Sequence, residues 1–150
     1  MDVATTQRWA SETLAVLSAA GHRNSAPREE IIQAIDRLGC SITARGIADD
    51  LRAHGSTVGL ASIYRTLELL DRLGLVQRFE VGEGGTRYEP AHAGGEHHHH
   101  IVCDSCGKVE AFEDDALERA ISHLSAQTDF AVAAHDVTLH GECAQCRTAP

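Results

Sequence analysis

Apolar residues recur three and four positions apart through the first half of the chain, a spacing that predicts amphipathic helices. The apolar positions of four successive helices are Leu14 and Leu17; Ile31, Ile32, Ile35 and Leu38; Ile47 and Leu51; and Ile63, Leu67, Leu70 and Leu73. Residues suited to start or stop a helix set the boundaries of the first three, namely Gly21, Ser25-Ala26-Pro27, Gly39, Thr43 and Gly55. The fourth helix is predicted from about Leu60 to Leu73. The first half is therefore predicted to be helical.

Beyond Gly74 the pattern becomes that of strands. Residues 75–81 and 86–89 flank a glycine-rich turn and predict a β-hairpin. Helices followed by a hairpin are typical of a winged helix-turn-helix, in which the helix before the wing reads DNA. Further on we expect strands at 97–103, 108–112 and 130–140 and a helix at 115–126. The predicted fold class is α+β, with a winged-helix domain at 1–89, a hinge at 90–96 and a small α/β dimerisation domain at 97–150.

The amino-acid composition excludes few classes of protein. With 150 residues, 43% of them hydrophobic, the chain can build one core or two small ones. The net charge of −9 lies mostly in the second half, because residues 1–89 contribute −2 and residues 90–150 contribute −7. A near-neutral first half can still carry a basic face, so the charge does not exclude nucleic acid. The absence of a long apolar stretch and of a leader pattern predicts a cytoplasmic protein without a membrane partner.

Four of the five cysteines form two Cys-x-x-Cys pairs, Cys103 with Cys106 and Cys143 with Cys146. Each pair can direct both sulfurs at one centre, and two such pairs complete the tetrahedral set that structural Zn²⁺ takes. Gly107 suits the tight turn after the first pair. Unrelated thiols or a redox pair are the alternative, but a redox motif needs only one pair, at the start of a helix. We therefore predict a structural zinc site that fastens the C-terminal region to the start of the second half.

A run of four histidines, His97 to His100, lies three residues before the first cysteine pair. On an extended strand successive side chains point to opposite faces, so His98 and His100 share one face and His97 and His99 the other. One strand can thus supply two separate metal sites. Each site needs further ligands, for which the candidates are Glu89, His92, Glu118 and His135.

Several of these segments together resemble the ferric uptake regulator family. They are Gly59-Leu-Ala-Ser-Ile-Tyr-Arg-Thr-Leu67, Gly74-Leu-Val76, the histidine run followed by Ile101-Val-Cys-Asp-Ser-Cys-Gly-Lys108, and Gly141-Glu-Cys-Ala-Gln-Cys146. The resemblance spans about residues 12 to 147 and implies a homodimeric repressor that binds an inverted-repeat DNA operator when loaded with metal. It places Ser62, Tyr64 and Arg65 in the major groove and Arg28 on the DNA backbone. Arginine suits guanine or phosphate, and tyrosine suits thymine methyl groups.

The resemblance also implies two ligand sets beside the cysteines. A regulatory site is implied at Glu89, His98 and His100, and an additional site at His97, His99, Glu118 and His135. His92 and Cys40 are candidates for a further ligand of the regulatory site by their positions in this chain, although a lone cysteine is more often an inert buried residue. This chain has Ser41 and Ala111 where iron- and peroxide-sensing members usually have a histidine and a carboxylate. It has Ala91 where zinc-sensing members usually have a cysteine.

The regulatory site lacks two ligands that iron-sensing members usually have, and this smaller set favours zinc as the regulatory metal. Glu89, two histidines and one more nitrogen or sulfur donor make a tetrahedral site, which suits Zn²⁺ better than Fe²⁺. The predicted function is therefore zinc-dependent repression of metal-uptake genes, with iron(II) or peroxide sensing as the alternative within the family. A zinc-ribbon adaptor for another protein is an alternative from a different class. A zinc enzyme is disfavoured because no catalytic motif is recognisable, so we predict that the protein is not an enzyme.

Overall fold

The computed structural model describes residues 3–81, 85–91 and 98–148. Within them the chain forms two compact units, one of residues 3–80 and 85–91 and another of residues 81 and 98–148. Most of the predicted hinge, as well as His92 and His97, lies outside the described residues, so the domain boundaries remain predictions. No described helix is long and apolar enough to span a membrane.

Four helices form the first unit, as predicted. They are α1 (Val3–Ala19), α2 (Ala26–Leu38), α3 (Ala44–Ala53) and α4 (Leu60–Arg72). Pro27 lies in the first turn of α2, where its missing N–H costs no hydrogen bond. Thr43 caps α3 by accepting a hydrogen bond of 2.9 Å from the amide of Gly46. The start and stop residues of the sequence therefore act as expected.

The core of the first unit is built from the predicted apolar faces. Its fully buried members are Leu17, Ile31, Ile32, Ile35, Ile47, Ile63, Leu67 and Leu70, with Trp9 added from α1. The prediction was wrong for Leu38 and Leu73, which are each 37% exposed. Leu38 is the last residue of α2 and Leu73 follows the end of α4, so both lie at helix ends and not within the buried faces.

The wing is a hairpin of β1 (Val76–Val81) and β2 (Gly85–Pro90). Of its predicted turn at 82–85, residues 82–84 lie outside the described residues, and Gly85 begins β2. Ile42, just before α3, adds an antiparallel bridge to Tyr88 through reciprocal backbone hydrogen bonds of 2.9 and 2.8 Å. This pairing ties the hairpin to the helices, and a single residue carries no strand pattern that could have predicted it.

The second unit contains a three-stranded sheet in the order β4-β3-β5, flanked by two helices. Its elements are β3 (His99–Cys103), β4 (Val109–Phe112), α5 (Asp115–Ala126), β5 (Thr138–Gly141) and α6 (Ala144–Arg147). β4 runs antiparallel to β3, whereas β5 runs parallel to it. The sheet places both cysteine pairs at one end.

The strand expected at 130–140 begins only at Thr138, so its first part was predicted wrongly. β5 pairs with β3 from His100 onward, and residues 131–137 have no neighbouring strand within the described chain. Phe130 is 80% exposed, and Val132 is also exposed. The apolar residues of this segment therefore do not belong to a strand that pairs within the single chain. The four-residue α6 was not predicted, because it is too short to show a helical period.

Candidate metal centres and nucleic-acid interface

The four predicted zinc ligands come together at one end of the sheet. Cys103 ends β3 and is paired with Gly141 at the end of β5, two residues before Cys143. The sulfur atoms of Cys103, Cys106, Cys143 and Cys146 all lie within 4.8 Å of one another, and all four are free thiols. A parallel strand pairing therefore assembles a closed cluster from two distant knuckles.

The geometry of this cluster fits zinc. The Sγ atoms of Cys106 and Cys143 are 3.8 Å apart, whereas a disulfide requires about 2.05 Å. Two sulfurs each about 2.3 Å from a tetrahedral zinc would lie about 3.8 Å apart. The cysteine sulfurs therefore match zinc ligation and not a bond between the knuckles.

Backbone amides prepare the cluster for a cation. The amide of Cys143 donates to Sγ of Cys103 at 3.3 Å. The N–H groups of Cys143 and Cys106 lower the pKa of Cys103 to about 6, and the N–H of Cys146 lowers the pKa of Cys143. The hydrogen bond with Cys143 raises the pKa of Cys146 to about 12, so in the metal-free set Cys146 retains its proton. Zinc ligation requires thiolates, which these N–H groups stabilise.

A second cluster lies between β3, α5 and the segment before β5. Nε2 of His99 is 2.7 Å from Oε1 of Glu118, and Nε2 of His135 is 3.1 Å from Oε2 of the same carboxylate. One ligand atom from each residue lies within 4.8 Å of the others. Two imidazoles and a carboxylate form a donor set suited to zinc or a similar divalent ion. The structure therefore brings together three of the four residues expected at the additional site; His97 lies outside the described part.

The orientation of His99 is fixed on both sides of its ring. Its side chain is 1% exposed, and its Nδ1 accepts a hydrogen bond of 3.2 Å from the amide of Val137. In the metal-free protein the proton of the neutral imidazole then lies on Nε2, which donates to Glu118, and a metal can bind at Nε2 only after this proton is lost. The position of Val137 could not be foreseen, because a backbone amide carries no residue-type signal.

Residues expected at the regulatory site occur in both units. In the first unit Glu89 is buried on β2, and the pKa of Cys40 is raised by partial burial of its sulfur and by the charge of Glu89. In the second unit the rings of His98 and His100 meet edge to face, with centroids 5.3 Å apart. Ala111 is the β4 partner of His100, so the position of the missing carboxylate is directly across the strand pair.

The residues predicted to contact DNA all belong to the first unit, and each of them is exposed or half-buried. Tyr64 and Arg65 are exposed on α4, and Nη2 of Arg65 donates to Oγ of Ser62 at 3.2 Å. On α2, Nη1 of Arg28 donates to the carbonyl of Arg23. The buried Nε of Arg28 has no hydrogen-bond partner within the described chain. Arg65 is thus directed by Ser62, while Arg28 retains an unused donor.

The turn before α4 has an anchor that was not predicted. The hydroxyl of Ser56 donates to the carboxylate of Glu30 on α2 and accepts a hydrogen bond of 3.2 Å from the amide of Val58. Such a contact between residues 26 positions apart follows no motif, so the sequence offered no signal for it. It holds the start of α4 against α2.

Comparison with known proteins gives a consistent result. A family model described as the ferric uptake regulator family matches residues 19–140. The ferric uptake regulation protein of Legionella pneumophila is 32% identical over 132 residues, which cover 87% of this chain and 96% of that protein.

Two solved structures are similar over most of the chain. The ferric uptake regulator of Helicobacter pylori, described as having three functional metal binding sites, has a TM-score of 0.78 at 26% identity and covers 96% of this chain and 95% of its own. The regulator of Vibrio cholerae, described as showing rearranged DNA-binding domains, has a TM-score of 0.73 at 30% identity and covers 86% and 98%. These matches confirm the predicted fold class.

Proposed function

Because the chain belongs to the ferric uptake regulator family, we propose that it is a homodimeric repressor that binds an inverted-repeat operator in double-stranded DNA when it carries a regulatory metal. Its membership makes it a metal-dependent transcription regulator and not an enzyme. The observation that carries the proposal is α4, which directly precedes the wing in the chain and exposes Tyr64 and Arg65. A helix in this arrangement can enter the major groove. We place this activity in the cytoplasm, with access to DNA.

We propose zinc as the regulatory metal. The donors are Glu89, His98 and His100, with Cys40 as the fourth, because its sulfur lies within 4.8 Å of a carboxylate oxygen of Glu89. Sulfur and imidazole ligands in a set of four suit Zn²⁺, whereas Fe²⁺ usually requires five or six ligands with more oxygen. The methyl group of Ala111, paired with His100, supports the same choice, because it supplies no carboxylate there.

The proposed mechanism connects the two units through this site. Glu89 and Cys40 belong to the reading unit, and His98 and His100 belong to the second unit. A shared metal supplies the bond between them, which restricts the freedom of the linker and the spacing of the two reading helices in a dimer. Operator binding then costs less ordering entropy, and by linkage DNA tightens metal binding by the same factor.

The second unit supports the homodimer in this proposal. None of the residues of α5, all of which are described, is buried. Leu124, Phe130 and Val132 form an exposed apolar surface on α5 and the segment that follows it. Exposed apolar surface of this kind marks a protein interface. A second copy of the chain is the proposed occupant.

A mobility-shift titration with an operator fragment tests the proposal. The zinc-loaded protein should bind at least tenfold more tightly than the protein in the presence of a chelator that spares the four-cysteine site. A variant with His98→Ala and His100→Ala should lose this difference while it retains its structural zinc and its dimer. His123→Ala, an exposed histidine on α5, is the matched control.

The possible outcomes separate the alternatives. Equal operator affinity with and without chelator would overturn metal-dependent repression. A regulatory site that X-ray absorption shows to be six-coordinate and filled with iron in freshly purified protein would replace zinc by iron. A single tightly held zinc without operator binding would favour the adaptor.

A further inference from the structure

Trp9 is the only tryptophan of the chain and makes an unusual pair of hydrogen bonds. It lies on α1 and is 3% exposed. Its indole N–H is shared between two backbone carbonyls, at 3.2 Å from that of Leu75 and 3.1 Å from that of Ala91. A buried indole usually needs one partner, and here the single donor joins two segments that are distant in sequence.

These two carbonyls lie at the open end of the wing hairpin. Leu75 directly precedes β1 and Ala91 directly follows β2. The amide of Ala91 donates to the carbonyl of Leu75 at 3.0 Å, so Trp9 adds its bonds to the closing pair of the hairpin. The amide of Leu75 also donates to the carbonyl of Leu70 on α4 at 2.8 Å. The end of the reading helix, both ends of the hairpin and α1 therefore meet at one point.

Ala91 lies at the start of the predicted hinge at 90–96 and is the last residue described before position 98. A chain end held by two hydrogen bonds has a fixed starting direction, whereas a frayed end adds freely rotating residues to the linker. Each additional free residue increases the conformational entropy that binding must remove. The hydrogen bond from Trp9 to Ala91 therefore helps to fix the position and direction in which the chain leaves the hairpin.

We propose that Trp9 is a positioning residue for the metal response, because its indole N–H fixes the point at which the chain leaves the reading unit. This inference rests on the proposed function, in which a metal restricts the linker. When the N–H is absent, the hairpin frays at Leu75 and Ala91, and the linker effectively begins earlier, next to Glu89. Glu89, a proposed zinc ligand two residues before Ala91, is then held less firmly, and the gain in operator affinity on zinc loading becomes smaller.

The test removes the N–H and keeps the ring. Because the chain has one tryptophan, replacing tryptophan by β-(3-benzothienyl)alanine during expression changes residue 9 alone and substitutes sulfur for N–H at nearly constant shape. Trp9→Phe is a second variant that needs no unnatural residue. Leu17→Ala is the matched control. Leu17 is a fully buried residue on the same helix, but its side chain cannot donate a hydrogen bond to the carbonyls of Leu75 and Ala91.

Two measurements on the full-length dimer decide the outcome. The first is hydrogen exchange at the amide of Ala91, which we expect to be roughly tenfold faster without the indole N–H, given the size of a buried hydrogen bond. The second is operator affinity with zinc and with chelator, where we expect the ratio to fall at least threefold while the affinity in chelator is unchanged. Leu17→Ala should leave this ratio as in the natural protein.

Unchanged exchange at Ala91, or an unchanged ratio in both Trp9 variants, would overturn the inference. A fall in the ratio that Leu17→Ala reproduces would also overturn it, because general loss of stability would then suffice. Failure of the proposed function is distinguishable, because the natural protein itself would then show no dependence on zinc.

Discussion

The carboxylate of Glu118 on α5 lies 2.7 Å from the buried Nε2 of His99 on β3. Helix α5 has no fully buried residue in the single chain. The contact between Glu118 and His99 is therefore a polar link between this helix and the sheet. The same carboxylate also contacts His135, so it connects β3, α5 and the segment before β5.

Replacing Glu118 by Gln should weaken metal binding at this cluster. The amide keeps the shape of the side chain but removes the negative charge that a divalent ion requires from its ligands. We expect the affinity for the corresponding metal to fall by at least about tenfold, on the scale that even supporting residues of metal sites show. Isothermal titration of protein that retains its four-cysteine zinc measures this. Glu110→Gln on β4 is the control and should bind as the natural protein does; equal loss in both would place the metal elsewhere.

Replacing Cys143 by Ser should remove the zinc that we propose for the four-cysteine cluster. The hydroxyl is a poor ligand, and zinc binding of a structural site contributes about 10 kcal/mol or more to folding. We expect the second unit to unfold at lower denaturant, with zinc content falling by about one atom per chain in elemental analysis. The emission of the buried Trp9 should keep its maximum, because it belongs to the first unit. Cys40→Ser should retain the structural zinc, and full zinc content in the Cys143 variant would contradict the assignment.

Replacing Arg65 by Ala should weaken operator binding without altering metal content. Loss of an arginine that contacts a base costs about 1–3 kcal/mol, which corresponds to roughly 5- to 150-fold in affinity. Ser62→Ala should have a smaller effect, because Ser62 orients Arg65 through one hydrogen bond of 3.2 Å. Arg72→Ala, at the end of α4, serves as the control in the same fluorescence-anisotropy titration. An Arg72 effect as large as that of Arg65 would indicate a general charge effect.

Replacing Phe130 by Asp should dissociate the dimer. Burying one phenylalanine contributes about 1.5–3 kcal/mol, and a two-fold interface contains two of them. We therefore expect the dimer dissociation constant to rise at least about 100-fold in sedimentation equilibrium. Val16→Asp introduces the same charge at an exposed position of α1 and should leave the dimer intact. A stable dimer in the Phe130 variant would place the interface on another surface.

Most of the first unit could be predicted from the sequence because its signals are local. Thr43 and Gly39 end or begin helices through their own backbone and side-chain properties, and Ile63, Leu67 and Leu70 repeat at a helical period. The contacts of Trp9 and Ser56 could not be predicted, since each joins residues that no periodic pattern relates.

The metal clusters were predictable to different degrees. Each Cys-x-x-Cys pair fixes its own geometry, so the cluster of Cys103 to Cys146 follows from spacing alone once the strands pair. Glu118 and His135 could be named from the sequence only as candidates among several, and their grouping with His99 came from the resemblance to a family, because the three residues come from separate segments. The strand expected before Thr138 failed because alternation shows an apolar face but not which chain pairs with it.

The parallel register of β3 and β5 limits how the sequence of this protein can vary in length. Cys103 pairs with Gly141, so the two knuckles meet through strand alignment and not through the length of chain between them. Doubling a loop costs only about 0.6 kcal/mol. Insertions between Phe112 and Thr138 should therefore leave the zinc cluster intact. A single deletion within β5 would turn its side chains to the opposite face and carry Cys143 away from its partners.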